Sequence, residues 1–209
     1  AGTSFRWLRD NICADLKIQE LDRGKNSYAM MDELAEKSPV GANRLLFNPS
    51  LAGGTSQDAS ANLRGAFMGL DLKHDRADLI RACMEGIAMN LRLRLDVLKK
   101  HCRLQNEMLL VGGGSKSPLY RRIFADIYNM DIVKTNIDQD AAALGAAAVA
   151  AVGCGIWEDF SRIDAIHRTT EIMKPDPANN SKYEKLLEVF SFASDRQSEI
   201  SEKLFTLDL

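Results

Sequence analysis

The chain has 209 residues, of which 45% are hydrophobic and 27% charged, and its formal net charge is -2. This ordinary globular composition suits one large domain or two small ones. Because there is no overall basic bias and no long apolar run, we expect no nucleic-acid surface, no membrane span and no signal peptide. The four cysteines form no Cys-x-x-Cys pair and the three histidines are isolated, so we expect free thiols in a reducing cytoplasm and no metal site.

The first part of the chain is predicted to be mostly helical. Helices are predicted at 4–12 and 27–37, a short strand at 45–47 and a loop at 48–62. Thr3 or Ser4 could cap the first helix, because short polar side chains accept hydrogen bonds from the first free N–H groups. The long loop is rich in Gly, Ser, Ala and Asn, and loops of that length usually have a function or are mobile.

The longest predicted helix covers 76–102 and follows a short strand at 64–70. Asp75 is a good N-cap, and Asp78 lies three residues further on. Apolar residues at helical spacing predict the face that packs in the core. They are Ile80, Cys83, Met84, Ile87, Leu91, Leu95 and Leu98. Glu85, inside the same helix, is expected to be a solvent-facing or paired carboxylate.

A glycine segment at 112–114 is the strongest candidate for ligand binding. It follows an apolar run at 108–111 that predicts a buried strand. Ser117 then suits the N-cap of a helix and Pro118 its first position. We therefore expect an open loop at the C-terminal end of its strand, beside a cleft, which is where open α/β sheets bind ligands.

This segment has two interpretations from its residues alone. Glycines let the backbone approach a ligand closely, and a helix N-terminus with free N–H groups suits an anion such as phosphate. A tight turn without a ligand is the alternative. The segment is not a P-loop, because Lys116 follows the glycines without the rest of the Gly-x-x-x-x-Gly-Lys-Ser/Thr pattern.

The last part of the chain alternates strand and helix signals. A strand is predicted at 131–134, a helix of small residues ending at Gly153, an irregular or helical segment at 156–166, a linker at 174–180 and a last helix at 181–204. Asp138 or Asp140 could cap the small-residue helix, which we expect to be a buried packing helix. Strands that alternate with helices predict an α/β domain.

Several segments, in one order, resemble those of a known family. They are 1–10 with its Trp-Leu-Arg-Asp, 45–53, 65–86, the glycine segment with the following helix at 111–127, and the Ala-Leu-Gly-Ala-Ala at 143–147. The chain resembles the C-terminal, ATP-binding half of the FGGY carbohydrate kinases, most of all the xylulose kinase branch. One such motif is weak evidence, whereas an ordered series over nearly the whole chain is specific.

The resemblance implies a ribonuclease-H-like, actin-like ATPase domain of the α/β class, incomplete at its N-terminus. Residues 1–209 would be the C-terminal nucleotide-binding domain, without the sugar-binding domain. The implied reaction transfers the γ-phosphoryl group of ATP to a hydroxyl of a sugar or polyol, such as the pentulose xylulose. Such chemistry needs Mg²⁺ and a carboxylate that accepts the hydroxyl proton. The family's catalytic aspartate lies upstream of this chain, so no catalytic residue is named and the chain alone is expected to be inactive.

The resemblance also implies where a nucleotide binds. The implied cofactor-binding residues are Gly2, Thr3, Arg6, Gly112, Gly113, Gly114 and Ser117. Adenosine is expected over the three consecutive glycines with the edge of the adenine near Ser117, and the phosphates toward Gly2, Thr3 and Arg6. A planar guanidinium can hold phosphate oxygens bidentately. The alternative for Arg6 is an ordinary surface residue on the first helix.

One loop departs from the family pattern. Gly53-Gly54-Thr55-Ser56 stands where the family usually has Gly-Glu-Arg-Thr-Pro, and Ser50 stands in place of a tyrosine after Pro49. This departure leaves a second function open, that of a non-catalytic FGGY-like binding or scaffolding protein. Self-association, for example as a homodimer, is expected as well, because missing strands would expose a sheet edge and apolar surface.

Overall fold

The computed structural model describes residues 2–137 and 140–208, apart from the side chain of Arg23. Within these ranges helices and strands alternate along the second half of the chain, as predicted. The elements in chain order are α1 (Gly2–Asn11), α2 (Ala14–Arg23), α3 (Ser27–Ala35), a 3₁₀ turn (Ala42–Arg44), β1 (Leu46–Asn48), β2 (Ala66–Met68), α4 (Arg76–Lys99), β3 (Glu107–Leu109), a 3₁₀ turn (Gly113–Lys116), α5 (Pro118–Tyr128), β4 (Asp131–Thr135), α6 (Ala141–Gly153), α7 (Arg162–Ile166), β5 (Thr169–Met173) and α8 (Pro177–Phe205).

The described strands form two small sheets. β1 pairs antiparallel with β2, and Phe47 lies opposite Phe67 with ring centroids 4.6 Å apart. β3 pairs parallel with β4, with Met108 opposite Ile132, and β5 pairs antiparallel along the other side of β4. A parallel pair needs a crossover connection, and α5 provides it. The predicted α/β class is therefore confirmed.

Helix α4 lies at the centre of the core. Asp75 accepts hydrogen bonds from the N–H groups of the first turn, and Asp78 completes a capping box with it, as the sequence predicts. Five of the seven residues predicted to face the core are buried. Leu91 and Leu98 are instead 37% and 49% exposed. Leu91 borders the cavity described below, and Leu98 lies in the last turns of α4, which are exposed.

A buried polar cluster joins α4 to α8. Glu85 is 1% exposed, and its Oε1 accepts hydrogen bonds from Arg81 Nε at 2.7 Å, Tyr183 Oη at 2.7 Å and Gly41 N at 3.1 Å. Although burial disfavours a charged guanidinium, the neighbouring Glu85 carboxylate raises the pKa of Arg81. Glu85 is thus a paired carboxylate, one of the two expected states, and it does not face solvent.

The first helices differ from the prediction in two respects. Helix α1 already includes Thr3 and Ser4, so neither residue caps it, and Ser4 Oγ instead donates a hydrogen bond to the carbonyl of Pro49 at 2.7 Å. Helix α2 was not predicted at all. Its apolar residues do not share one buried face: Leu16 is buried, whereas Ile18 and Leu21 are exposed.

The last elements also differ from the prediction. Strand β5 was missed because four of its five residues are exposed, so it lacks the buried apolar pattern of a central strand. Helix α8 begins at Pro177, inside the segment predicted to be a linker. Asp176 is its N-cap and accepts a hydrogen bond from the N–H of Ala178 at 2.8 Å. An Asp-Pro pair is therefore a helix start here.

Helix α6 ends at Gly153 as predicted, but it is not a buried packing helix. Ala148 is its buried residue, and Val149 is 63% exposed. No described element packs extensively along it. The side chain of Asp140 makes no capping hydrogen bond, and Asp138 lies outside the described residues. Within the described ranges, no helix combines the length and apolar character needed to cross a membrane.

Candidate functional site

A cavity of about 820 Å³ lies where α1, α3, α4 and the glycine segment before α5 meet. Its volume is within the range of small-molecule sites. A second, more open depression of about 340 Å³ lies near Cys102, Arg103 and Asn129. None of the predicted site residues borders that depression, so the larger cavity is the candidate site.

Five of the seven residues expected at a nucleotide site border this cavity. They are Gly2 and Arg6 on α1, Gly113 and Gly114 in the glycine segment, and Ser117 before α5. The fold thus brings two segments together that are far apart in the sequence. Thr3 and Gly112 are not among the residues that line the cavity.

The glycine segment keeps its predicted position but not its predicted conformation. The chain leaves β3 at Leu109, and Gly112 has a φ of 86°, a left-handed conformation that favours glycine. Gly113–Lys116 then form one 3₁₀ turn instead of an open loop. Ser115 Oγ donates a hydrogen bond to the Gly112 carbonyl at 2.7 Å. The segment lies beside the cavity, just after the C-terminal end of β3.

The start of α5 follows the prediction closely. Ser117 is the N-cap, its Oγ accepts a hydrogen bond from Tyr120 N at 2.9 Å, and Pro118 is the first helical residue. Gly114 lies against the ring of Tyr120, since an added Cβ would be 3.0 Å from the ring atom Cδ1. The small residue at Gly114 therefore lets the glycine segment approach the aromatic wall of the cavity.

The start of α1 forms the opposite end of the site. Gly2 borders the cavity, and a Cβ added there would meet no atom within 4 Å. Arg6 lies one turn further along α1 on the same face, and its side chain is exposed at the edge of the cavity. The first N–H groups of a helix have no partner within the helix. Together with a guanidinium they make this end of the cavity suitable for an anion.

A row of aromatic rings forms one wall of the cavity. The Phe5 ring stacks against Tyr28 at 5.7 Å and against Tyr120 at 6.2 Å between centroids, and Tyr120 meets Phe124 edge-on at 4.8 Å. Burial raises the pKa of Tyr120 well above its usual range. This wall was not predicted from the sequence, because its rings come from three helices that meet only in the folded chain. Such a surface suits a planar ring ligand.

Asp32 is the second feature of the cavity that was not predicted from the sequence. It lies on α3 one turn after Tyr28 and is the only carboxylate among the described residues that line the cavity. Burial raises its pKa to about 6, a hydrogen bond from the Ser117 hydroxyl opposes that rise, and Glu36 and Glu33 add to it. No spacing motif marks Asp32, so the sequence offers no signal that could have found it.

The departing loop lies outside the cavity. Thr55 donates hydrogen bonds from its N–H at 2.6 Å and its hydroxyl at 2.8 Å to Asp58, which forms an ion pair with Arg94 on α4. None of residues 53–56 lines the cavity. The altered loop therefore leaves the lining of the candidate site unchanged.

Comparison with known proteins places the chain in a family. Residues 1–154 match the C-terminal domain of the FGGY family of carbohydrate kinases. The chain belongs to the FGGY family. Among curated FGGY relatives, the xylulose kinase of Staphylococcus epidermidis is 29% identical over 208 residues, which are 99% of this chain and 40% of the relative. The gluconokinase of Bacillus licheniformis is 28% identical over 195 residues, 90% of this chain and 37% of the relative.

Solved FGGY structures agree with this membership. The ligand-bound xylulose kinase of Lactobacillus acidophilus is 27% identical, with a TM-score of 0.81 over 98% of this chain and 39% of that chain. The FGGY chain therefore has the actin-like ATPase fold of these sugar kinases, as expected. It spans about 40% of the length of the curated relatives it matches.

Proposed function

We propose that residues 1–209 are the nucleotide-binding domain of an ATP-dependent sugar kinase. The proposed reaction transfers the γ-phosphoryl group of ATP to a hydroxyl of a sugar or polyol, and the proposed acceptor is a pentulose such as xylulose. One observation carries the proposal: Gly2 and Arg6 line the same cavity as Gly113, Gly114 and Ser117. Family membership supports it, since xylulose kinases are among the relatives.

The proposed pose follows from the polarity of the cavity. Adenosine lies over the glycine segment against the aromatic wall, with the edge of the adenine near Ser117. The phosphates lie toward the start of α1, where free N–H groups and Arg6 favour negative charge. Thr3 and Gly112 remain proposed cofactor-binding residues at these two ends, although neither lines the cavity.

The described residues offer no preformed cage of protein ligands for Mg²⁺. They contain no group of three or more His, Cys, Asp or Glu that could hold a metal ion. Mg²⁺ commonly binds through substrate phosphates and one or two carboxylates. We therefore assign no residue of this chain to Mg²⁺ and propose that it arrives with ATP.

Two substitutions test the nucleotide site in the full-length protein. Arg6→Ala is expected to weaken ATP binding by about 1–3 kcal/mol, because a charge-assisted hydrogen bond to phosphate is lost. Gly113→Leu is expected to block adenosine sterically. Titration calorimetry with ATP measures both effects.

Matched changes away from the cavity provide the controls. Arg162→Ala removes an exposed guanidinium from α7, and Gly145→Leu adds the same side chain to an open position of α6. Both are expected to leave ATP binding unchanged. Unaltered ATP binding by Gly113→Leu would show that the glycine segment is not the adenosine site.

A second function, that of a non-catalytic binding or scaffolding protein, has one observation in its favour. The loop at 53–56 lacks the charged residues usual in the family and is held by Asp58 and Arg94 outside the cavity. An assay of ATP-dependent ADP release from the full-length protein separates the two functions. The panel should include xylulose, gluconate and autoinducer-2, because relatives at similar identity include gluconokinase and autoinducer-2 kinase. ADP release with one of these acceptors supports the kinase, whereas nucleotide binding without turnover supports the scaffold.

A further inference from the structure

The surroundings of Asp32 in the candidate site are unusual for a carboxylate. It lines the cavity close to Ser117 and Tyr120. No cation is paired with it among the described residues. A carboxylate taken out of water is costly unless donors satisfy its oxygens. A residue in such a position is therefore a candidate for binding a ligand group.

The hydrogen bonds around Ser117 define what Asp32 can do. Ser117 Oγ already accepts the N–H of Tyr120 at 2.9 Å, and the Ser117 hydroxyl is near enough to Asp32 to lower the pKa of that carboxyl group. An ionised carboxylate has about four acceptor positions on two oxygens. Even with the Ser117 hydroxyl nearby, Asp32 keeps acceptor capacity at the wall of the cavity. The ligand group that fits there is a hydrogen-bond donor.

The surroundings of Asp32 suggest which ligand carries this donor. Tyr28, one turn earlier on α3, stacks with Phe5, and Phe5 stacks with Tyr120. These flat rings suit a planar heterocycle. Arg6, at the other end of the cavity, is instead suited to phosphates. A base with an amino group, lying against the rings, therefore presents a donor next to a carboxylate.

We propose that Asp32 determines nucleotide specificity by accepting a hydrogen bond from the 6-amino group of adenine. This inference rests on the proposed binding of ATP and adds the group that selects the base. Guanine carries an oxygen acceptor in place of that amino group, and two acceptors would repel each other there. Asp32 makes no covalent change and takes no part in phosphoryl transfer.

The test compares ATP with purine riboside triphosphate, which has a hydrogen in place of the 6-amino group. Competition against a fluorescent, ribose-labelled ADP measures both affinities in the full-length protein. The unchanged protein is expected to bind ATP about tenfold or more tightly than the analogue, the scale of one hydrogen bond to a charged group. Asp32→Leu removes the acceptor and should make the two affinities equal by weakening ATP alone. Asp32→Asn keeps an acceptor oxygen and should retain the preference.

A control variant and several contrary outcomes distinguish a failure of this inference from a failure of the proposed function. Glu33→Gln alters an exposed carboxylate of the same helix and should leave the preference for ATP intact. Equal binding of ATP and the analogue by the unchanged protein would overturn the role of Asp32 without any need for a variant. Tighter binding of GTP than of ATP would also overturn the role of Asp32. The same holds if Asp32→Leu weakens the binding of ATP and of the analogue to the same extent. Absence of any ATP binding to the unchanged protein would overturn the proposed function itself.

Discussion

Gly86 shows how a single residue limits the approach of two elements. It lies in α4 directly beneath β1, and a Cβ at this position would overlap the carbonyl of Phe47. Backbone atoms cannot move aside as the end of a flexible side chain can. Any larger residue must therefore push α4 away from the β1–β2 sheet and loosen the core around it.

Gly86→Ala is therefore expected to destabilise the protein by about 2–4 kcal/mol, because overpacking shifts the backbone. Gly145→Ala is the matched control, since a Cβ there meets nothing within 4 Å. That change should instead stabilise α6 by about 0.5–1 kcal/mol, because alanine is the better helix former. Urea unfolding of the two variants measures both values. Equal stabilities of the two variants would contradict this account of Gly86.

The half-buried carboxylate of Asp32 leads to a prediction about pH. Its pKa is raised from 3.8 to about 6, first by burial, with Glu36 and Glu33 contributing and Ser117 opposing. Arg6 and Lys116 also line the cavity. Because the folded protein then binds more protons than the unfolded chain between these pKa values, Asp32 lowers stability as pH rises from about 4 to 6.

Asp32→Asn should remove this dependence. It is expected to stabilise the protein by about 1–3 kcal/mol at neutral pH and to have little effect below about pH 4. Thermal unfolding at pH 4 and pH 7.5 provides the measurement. Glu33→Gln should change stability by less than about 0.5 kcal/mol at both values. An Asp32→Asn variant whose stability advantage is the same at both pH values would rule out this titration.

At the scale of secondary-structure elements, single side chains accept backbone N–H groups at the starts of several helices. Asp75 and Asp78 form a full capping box at α4, and Ser117 and Asp176 each accept a backbone N–H at the start of their helices. Asp140 precedes α6 in the same way but makes no capping hydrogen bond with its side chain. The same residue type therefore stabilises one helix start and contributes little at another.

Asp75→Ala is expected to cost about 1–2 kcal/mol of stability, because two N–H groups at the start of α4 lose their acceptor. Asp140→Ala, the matched control, should cost less than about 0.5 kcal/mol. Thermal unfolding at neutral pH compares them directly. A loss at Asp140 as large as that at Asp75 would contradict the observed difference in capping.

At the scale of the whole molecule, apolar side chains are exposed on α6 and in the turn after it. Val149 is 63% exposed and Ile156 is 71% exposed. Exposed apolar side chains favour association in water. We therefore expect the 209-residue chain to self-associate weakly, consistent with the association predicted from its sequence.

Val149→Lys combined with Ile156→Lys should reduce this association, because a charge in the contact must be desolvated. Gln105→Lys adds the same charge at an exposed polar residue elsewhere and should have no effect. Sedimentation equilibrium over a range of protein concentrations provides the measurement. A parent chain that stays monomeric at every concentration would refute the prediction.

Local sequence determined the features that depend on a few neighbouring residues. The caps at Asp75 and Ser117, the end of α6 at Gly153 and the position of the glycine segment after β3 were predictable, because each arises from backbone groups within a few positions. Gly2 and Arg6 were found by family resemblance, since nothing local joins them to the glycines.

The tertiary structure alone decided which distant groups meet. It placed Asp32 beside Ser117 and enclosed Glu85 with Tyr183. It also paired the exposed strand β5 with β4 and left α6 uncovered among the described residues. Burial and the pKa shifts it causes depend on which elements pack together in space. Because neither side-chain spacing nor composition contains that information, the aromatic wall and its carboxylate emerge only in the folded chain.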